Sequence, residues 1–256
     1  MESRSRAHGM ANGRGTADHY GDAPSLRVCV DVVAFSVRNE SLQVLLVERP
    51  GIPETNQAAI ARWQFPTADL RVDSADIGVV AADLVALTAQ AGRRRIHLQQ
   101  IQTYQAHDCC GQQPTDSIVY LSLLWLPTDT PPRPGTSWHP AGRILRPRQT
   151  VVATGTTKII RDALDRLRTR LEYTTDATWL CPTEFTIPEL IRVYELVWQC
   201  EIDERNFRRR ALGTEGFLLD THHRRAAVGL AAVLYRRGNV AQIHAPLVQP
   251  NLSSRN

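Results

Sequence analysis

The hydrophobic and polar positions divide this chain into two regions with different periodicities. Valine-rich runs that alternate with polar residues predict β-strands. Apolar residues that recur every three or four positions predict helices. In chain order, these patterns predict strands at 27–37 and 42–49, a helix at 76–92, strands at 96–104 and 117–126, and helices at 158–174, 187–199 and 204–212. Residues 127–142 are rich in proline, which predicts a long surface loop.

The last third of the chain has the order of a winged helix. Thr186 and Glu189 form a capping box that starts one helix, and Asp203 can cap the next. A four-residue turn between two such helices is typical of a helix-turn-helix. Residues 216–237 then predict a strand, a polar turn and a returning apolar strand. The polar turn is expected to hold His222, His223, Arg224 and Arg225.

The stretch "ERNFRRRALG" (204–213) forms the second of these helices. A run of charges usually faces water, but a helix-turn-helix followed by a basic hairpin favours insertion into a DNA major groove. Phe207, Ala211 and Leu212 are expected to face the core. Arginine suits guanine edges and phosphates, and Asn206 suits adenine. The predicted DNA contacts are Arg205, Asn206, Arg208, Arg209, Arg210, Thr186, Arg224 and Arg225.

Winged helices also bind proteins, and this segment holds almost as many acids as bases. Glu195, Glu201, Asp203 and Glu204 lie close to the arginines in sequence. The DNA interpretation therefore depends on how the charges are segregated in the fold, and not on their sum. The net charge of the whole chain is only +4, which by itself does not indicate a polyanionic partner.

Composition places the protein among cytoplasmic globular proteins. No apolar run approaches the roughly 18–20 residues of a membrane span, and residues 1–25 are predicted to be a disordered tail without a signal-peptide core. An odd number of cysteines, five, is typical of a reducing compartment. Cys109 and Cys110 follow His107, but no second ligand pair has recognisable spacing. No metal site and no cofactor are therefore predicted.

Both halves of the chain resemble one family. "VDVVAFSV", "LQVLLVERP" and "RWQFP" resemble the start of a Nudix domain, while "FTIPEL", "VYE" and "DERNFRR" resemble the winged helix of the Nudix-related transcriptional regulators, the NrtR family. The resemblance implies an α+β fold, with a Nudix-like α/β/α sandwich followed by a winged helix-turn-helix. The predicted organisation is a tail at 1–25, a Nudix-like domain at 26–165, a winged helix-turn-helix domain at 166–238, and a C-terminal tail at 239–256.

The same resemblance implies a function. Members of this family repress genes of NAD biosynthesis or salvage, bind a palindromic DNA operator as homodimers, and sense ADP-ribose or a related NAD metabolite through the Nudix-like domain. The alternative is a Nudix hydrolase, an ADP-ribose pyrophosphatase with an accessory winged helix.

The Nudix signature is degenerate, which favours the repressor. Thr67 and Ala68 stand where the family has paired glycines, and the two metal-binding glutamates fall either on Ala86 and Leu87 or on Ala89 and Gln90. No glutamate occurs between Glu54 and Glu172. Because Mg²⁺ needs clustered carboxylate oxygens, we predict no catalytic residues and no enzyme. The aspartates that remain there are Asp73, Asp76 and Asp83.

An effector does not need that metal, because arginine clamping and aromatic stacking can hold a nucleotide. The candidates are Arg49, Arg62, Trp63 and Tyr104. The triplet Arg93–Arg95 is open to three interpretations: contact with the DNA backbone, contact with an anionic effector, or simple exposure to water. Lys158, the only lysine, lies on the helix expected to join the two domains.

Overall fold

A computed structural model describes residues 27–49, 62–70, 76–107, 115–148, 151–226, 231–244 and 246–248. The predicted tail at 1–25, the pair Cys109–Cys110 and Asp73 lie outside these residues. Among the described residues, no helix has both the length and the hydropathy needed to cross a membrane.

Seven strands in the described residues form one mixed sheet. They are β1 (Val28–Arg38), β2 (Ser41–Glu48), β3 (Trp63–Gln64), β4 (Thr67–Asp69), β5 (Ile96–His107), β6 (Thr115–Leu124) and β7 (Thr136–Pro140). The main order is β3-β2-β1-β6-β5, with β4 paired to β1 and β7 to β2. Strands β1 and β6 run parallel. The four predicted strands are confirmed. The short β3 and β4 were not predicted, and β7 lies within the segment predicted to be a loop.

A tight hairpin joins β1 to β2. Asn39 and Glu40 have φ angles of 47° and 55°, and Arg38 pairs directly with Ser41. A two-residue loop with left-handed backbone matches the twist of the flanking strands. The Arg38 guanidinium then donates to the carbonyl oxygens of Pro127, Thr128 and Thr130, which holds the loop after β6 against the hairpin.

Two helical layers cover the two faces of the sheet. Successive strand residues point to opposite faces, so Val32 packs in the core under helix α1 (Ile77–Ala89), whereas Val33 packs in the larger core on the other face. The larger core also contains buried side chains of α2 (Ala141–Ile144), α3 (Thr154–Tyr173) and α4 (Ile187–Trp198). The predicted α/β/α sandwich is confirmed.

Helix α3 is a single continuous element that serves both parts of the chain. Ile160, Leu164, Leu167 and Leu171 form its buried stripe, as the periodicity predicts. The predicted domain boundary between residues 165 and 166 falls inside this helix. A 3₁₀ turn (Asp176–Leu180) then leads to the winged helix.

The helix-turn-helix lies close to its predicted limits. Helix α4 ends at Trp198, Gln199 adopts the left-handed conformation that ends it, and α5 spans Glu204–Gly213. The capping box at Thr186 and the cap at Asp203 are both formed. The cap satisfies backbone N–H groups that the first turn of a helix leaves without partners.

The wing consists of β8 (Leu218–Arg225) and β9 (Ala232–Arg237). The predicted polar turn at 222–225 was wrong, because these residues belong to β8. The strand pairing is irregular between Asp220 and Arg224, and His222 has a φ of 60°. This bulge interrupts the alternation of apolar and polar residues along the strand. The consecutive polar residues therefore have the sequence pattern that is typical of a turn.

Part of the predicted C-terminal tail packs against the body of the protein. Ile243, Leu247 and Val248 are buried, and the Ile243 N–H donates to the carbonyl oxygen of Tyr173 at 2.8 Å. The described portion of this segment therefore adds to the core at the end of α3.

Candidate nucleic-acid interface

Two buried side chains determine which face of α5 is exposed. Phe207 and Ala211, four residues apart, are each 1% exposed. The Phe207 ring packs edge-on against Tyr194 of α4, with 5.1 Å between ring centroids. The Tyr194 hydroxyl in turn donates to the carbonyl oxygen of Leu171 at the end of α3. One aromatic contact and one hydrogen bond thus link the three helices and fix the rotation of α5 about its axis.

The opposite face of α5 is basic. Arg205, Asn206, Arg208 and Arg209 are exposed. Within the described part of the chain, Arg205 and Arg208 make no side-chain hydrogen bond or ion pair. Arg209 donates to the Asn206 carboxamide oxygen at 2.8 Å. The face therefore presents two unengaged guanidinium groups, and Asn206 keeps its NH₂ donor for another partner.

Leu212 does not face the core as expected, since 45% of it is exposed. Ala211 already occupies the inward position one turn after Phe207, and the next residue lies about 100° further round the helix. Leu212 consequently shares the outer surface with Arg208, which precedes it by four residues.

Three of the eight predicted DNA contacts bond to parts of the protein outside α5. Arg210 is half-buried and donates to the carbonyl oxygen of Pro246 at 3.0 Å. Thr186 is 9% exposed, and its hydroxyl both accepts from the Glu189 N–H and donates to the Glu189 carboxylate. Arg225 donates to Glu189 Oε1 at 2.6 Å and to the carbonyl oxygen of Glu184. These bonds stabilise the fold in the surroundings of α5.

Arg224, the neighbouring residue on the wing, differs from Arg225. Its side chain is exposed and makes no hydrogen bond or ion pair with any residue that the structure describes. Arg224 and Arg225 stand on consecutive positions of β8, so their side chains point to opposite faces of the wing. One arginine attaches the wing to α4, and the other remains accessible.

Three glutamates near the helix-turn-helix are engaged with partners outside α5. Glu184 contacts His223 Nδ1 at 3.1 Å, and Glu189 holds Arg225 and Thr186. Glu195 accepts from Arg192 and from the Ile202 N–H. These three carboxylates bind partners around α4, and Asp203 caps α5. Glu204, in the first turn of α5, is exposed beside the arginines, which outnumber it on the outer face of that helix.

Helix α1 is the element in which the resemblance places the Nudix signature, and it carries no carboxylate cluster. Asp76 is the N-cap and accepts from the N–H groups of Gly78 and Val79. Asp83 is ion-paired with Arg93. In the described segments no group of three or more His, Cys, Asp or Glu side chains is placed to hold a metal ion.

The structure distinguishes the two alignments of the metal-binding glutamates. Leu87 is 58% exposed and Ala86 is partly exposed. In the other alignment Ala89 is fully buried, and Gln90 is exposed but is the C-cap beyond the end of α1. A metal ligand must reach the surface of the helix, so the alignment that places the ligands at Ala86 and Leu87 fits better. Neither residue carries an oxygen ligand.

A buried carboxylate on β1 was not predicted from the sequence. Asp31 has no exposed surface, and its two oxygens accept hydrogen bonds from the hydroxyls of Thr67 and Ser117 at 2.5 and 2.6 Å. Thr67 is one of the two residues that replace the paired glycines. Its hydroxyl therefore has a structural partner across the β1–β4 pair.

Three of the four effector candidates lie together, and one does not. Arg49 donates to the Gln64 side chain, and Arg62 binds Glu48 and flanks Trp63 with 5.9 Å between its guanidinium carbon and the ring centroid. All three stand at the β3 edge of the sheet. Tyr104 is on β5 at the other edge, four strand spacings or roughly 19 Å away.

Tyr104 instead links the sheet to α3. Its hydroxyl donates to Asp162 Oδ2 at 2.9 Å, and Lys158 Nζ donates to the same oxygen at 2.9 Å. The ammonium group also lies 5.1 Å from the centroid of the Tyr104 ring. Burial and the Asp162 carboxylate raise the pKa of Tyr104 above its usual value. The only lysine is thus part of a contact between β5 and α3.

A second charged cluster, also missed in the sequence, connects the sheet to the segment before the winged helix. Asp176 is 3% exposed and accepts from Arg170 Nε at 2.7 Å, with His97 Nε2 at 3.5 Å. Burial alone would raise the pKa of this carboxyl, but the facing His97 and Arg170 outweigh that effect and lower it to about 2. His97 comes from β5, Arg170 from α3 and Asp176 from the 3₁₀ turn. No local pattern brings these three together.

Comparisons with known proteins agree with this geometry. Residues 177–237 match the family model of the NrtR DNA-binding winged helix domain. The ADPR-responsive transcriptional repressor NtrR of Acinetobacter baylyi is 24% identical over 220 residues, which cover 84% of this chain and 83% of that protein.

Two solved structures show the fold. Shewanella oneidensis NrtR in complex with a 27mer DNA superposes with a TM-score of 0.71 at 21% identity, covering 86% of this chain and 99% of that one. A MutT/nudix family protein from Enterococcus faecalis gives a TM-score of 0.62 at 16% identity, covering 84% and 88%. The resemblance to the Nudix-related transcriptional regulators is therefore confirmed: the chain joins a Nudix-like fold to a winged helix that matches the NrtR family model.

Proposed function

We propose that this protein is a transcriptional repressor of NAD biosynthesis or salvage genes that binds a palindromic operator as a homodimer. The observation that carries the proposal is the outer face of α5, where Arg205 and Arg208 are exposed and unengaged within the described residues. This helix belongs to the segment that matches the NrtR DNA-binding winged helix. In such a fold the second helix of the helix-turn-helix enters the major groove.

The contacts divide the predicted DNA-binding residues by role. Arg205, Asn206, Arg208 and Arg209 face outward and are assigned to base edges and phosphates in the groove. Arg224 on the wing is assigned to the DNA backbone. Arg210, Thr186 and Arg225 position the helices and the wing through the bonds described above, so their effect on DNA is indirect.

The Nudix-like domain acts in this proposal as a catalytically silent sensor of ADP-ribose or a related NAD metabolite. The support is the missing carboxylate cluster on α1 together with the ADPR-responsive repressor among the similar proteins. Arg49, Arg62 and Trp63 are the proposed effector-binding group, because they share one edge of the sheet. Helix α3, which carries Lys158, would connect this domain to the helix-turn-helix formed by α4 and α5.

The test is selection of DNA from a random duplex pool, followed by binding measurements on the recovered sequence. We expect a palindrome whose half-sites are about one helical turn apart, roughly 34–36 Å. Arg205→Ala/Arg208→Ala should lose about 1–3 kcal/mol of binding free energy for each arginine that reads a base. Arg133→Ala/Arg161→Ala removes the same charge from exposed positions elsewhere and is the matched control. Equal affinity of the two double variants would overturn the assignment of α5.

Salt dependence gives an independent test of the same interface. Each neutralised phosphate makes the slope of log K against log salt concentration more negative by roughly 0.9. We expect a steep slope for the wild type and a shallower one for Arg224→Ala, because that residue is assigned to a phosphate. A slope that is flat in the wild type would contradict DNA binding through these arginines.

A further inference from the structure

A basic cavity of about 310 Å³ lies between the sandwich and the wing. One wall is formed by Arg94 and Arg95 after α1 and by Trp125 after β6. The floor is the segment around Trp179 that precedes α4, and the other wall is the base of the wing. The lining residues are Arg94, Arg95, Trp125, Thr178, Trp179, Cys181, Pro182, Thr183, Phe185, Arg236, Arg237 and Gly238.

The cavity has an unbalanced positive charge. Four arginines and no acidic side chain line it among the described residues. Arg94 and Arg236 are exposed and make no side-chain hydrogen bond or ion pair with the described residues. Arg93, the first residue of the same triplet, differs from them because it forms an ion pair with Asp83. Of the three interpretations of the triplet, simple exposure to water does not explain why its last two arginines converge with two others.

Aromatic rings contact the remaining two arginines, and the Asp176 carboxylate also attracts Arg237. The guanidinium carbon of Arg237 lies 3.4 Å from the centroid of the Trp179 ring, and that of Arg95 lies 5.9 Å from Trp125. A stacked guanidinium keeps its N–H donors directed outward in its own plane. These donors can therefore bind a phosphate while the charge stays held over an indole.

The cavity lies at the base of the wing, away from the end that carries Arg224, the wing residue assigned to DNA. Arg236 and Arg237 pair with Leu219 and Leu218, whereas the far end of the wing is the pair Arg225–Ala232. Arg237 lies five positions along the strand from Ala232, which corresponds to roughly 17 Å. This position and the concave shape favour a small molecule over the backbone of a bound operator.

We propose that this cavity binds a small phosphate-bearing molecule with a planar ring, of the mononucleotide class. The arginines would take the phosphate, and the indole surfaces of Trp125 and Trp179 would pack against the ring. The volume is at the lower end of the range for small-molecule sites, which matches one ring with one phosphate. The site is separate from the effector group at the β3 edge and does not require the proposed operator binding.

A ligand here would contact the sandwich and the wing at the same time. It would therefore stabilise one placement of the wing relative to the Nudix-like domain, and would change DNA affinity only if that placement matters for DNA. This consequence can be measured separately from ligand binding itself.

The direct test is calorimetric titration of the full-length chain with AMP in the absence of DNA, with adenosine as the uncharged probe. We expect saturable AMP binding and no measurable adenosine binding. Arg94→Glu/Arg236→Glu should weaken AMP binding at least tenfold, while Arg133→Glu/Arg161→Glu, which makes the same change in net charge, should leave it unchanged. Absence of saturable AMP binding, or equal weakening in both double variants, would overturn the proposal.

Measuring operator binding of the same variants distinguishes the ligand site from the nucleic-acid interface. Without AMP, the two charge-reversed variants should bind the selected operator with equal affinity, because they carry equal net charge. A specific loss of operator binding in Arg94→Glu/Arg236→Glu would assign these arginines to DNA phosphates and overturn the small-molecule site. If no operator is recovered at all, the repressor proposal fails, and the AMP titration still decides the cavity.

Discussion

Helices α1 and α5 are built alike on the inside and differ on the outside. In α1, Ala81 and Val85 are fully buried, and in α5 Phe207 and Ala211 have the same role. The outward positions of α1 include Val79, 42% exposed, and Leu87, 58% exposed. Those of α5 include Arg205, Arg208 and Arg209, together with Leu212, 45% exposed.

This difference shows that packing and chemistry are set by different positions of the same helix. A helix that keeps its buried stripe keeps its place in the fold, whatever stands on the other face. The absence of glutamates on α1 therefore removes carboxylates that an active Nudix helix would use as metal ligands, and the sandwich is kept. The outward arginines on α5 add a candidate DNA-reading surface without changing how the winged helix packs.

The largest expected effect comes from removing the inner side of α5. Phe207→Ala should lower the free energy of unfolding by about 3–5 kcal/mol, because it empties a buried site against Tyr194. DNA binding should fall as well, since the rotation of α5 is no longer fixed. Chemical denaturation measures the first effect and a gel shift the second.

Leu212→Ala is the control for this comparison. It also removes a large apolar side chain from α5, but from an exposed position, so the loss should be within about 0.5 kcal/mol. A loss of the size expected for Phe207→Ala would show that Leu212 faces the core after all.

The next largest effect is on stability at low pH and concerns Asp176, which lies between the sheet and the winged helix. The pKa of Asp176 is about 2 in the folded protein, below its value in the unfolded chain. The carboxylate therefore stabilises the fold above about pH 4, and this contribution of about 2 kcal/mol should be lost as the pH falls toward 2. Denaturation curves at pH 5 and pH 2 measure it.

Asp176→Asn supplies the reference for that titration, because it removes the ionisation and keeps the shape. The drop in stability between pH 5 and pH 2 should be smaller in this variant by about 2 kcal/mol. Equal drops would mean that Asp176 is not held ionised by Arg170 and His97.

A smaller effect on stability is expected to distinguish the half-buried Arg210 from the exposed Arg208 on α5. Arg210→Ala loses the hydrogen bond to Pro246, so the free energy of unfolding should fall by about 1 kcal/mol. Arg208→Ala should leave that free energy within about 0.5 kcal/mol and should instead weaken operator binding. If both variants changed stability equally, the division of the arginines into inner and outer roles would be wrong.

The sequence predicted the elements that have strong periodic patterns. The strands on either side of the Asn39–Glu40 turn, α4 and α5 lie within a residue or two of their predicted limits. The wing was less accurate, because the bulge between Asp220 and Arg224 disturbs the alternation that identifies a strand. The two- and three-residue strands β3 and β4 are too short to produce any pattern.

The candidate site on α5 was predictable because its residues are neighbours on one helix. The basic face of α5 follows from ten consecutive residues and the helical repeat. The cavity between Arg94 and Arg237 joins residues from distant parts of the chain, so only the tertiary fold reveals it. Tyr104 illustrates the opposite error: it shares the residue type of a ligand-stacking group, but sheet order places it away from Arg62 and Trp63.

The smallest expected effect is on ADP-ribose itself, for which we expect no hydrolysis. An active Nudix helix would hold Mg²⁺ or Mn²⁺ through several carboxylates, whereas α1 offers only Asp83, which is paired with Arg93, and the capping Asp76. Incubation of the protein with ADP-ribose and either metal should release AMP no faster than buffer alone. Asp83→Ala should leave this background rate of AMP release unchanged, because Asp83 is paired with Arg93 and is not expected to bind a catalytic metal. AMP released by the wild type and not by Asp83→Ala would show that α1 still supports catalysis, and the contrast between the outer faces of α1 and α5 would then have to be abandoned.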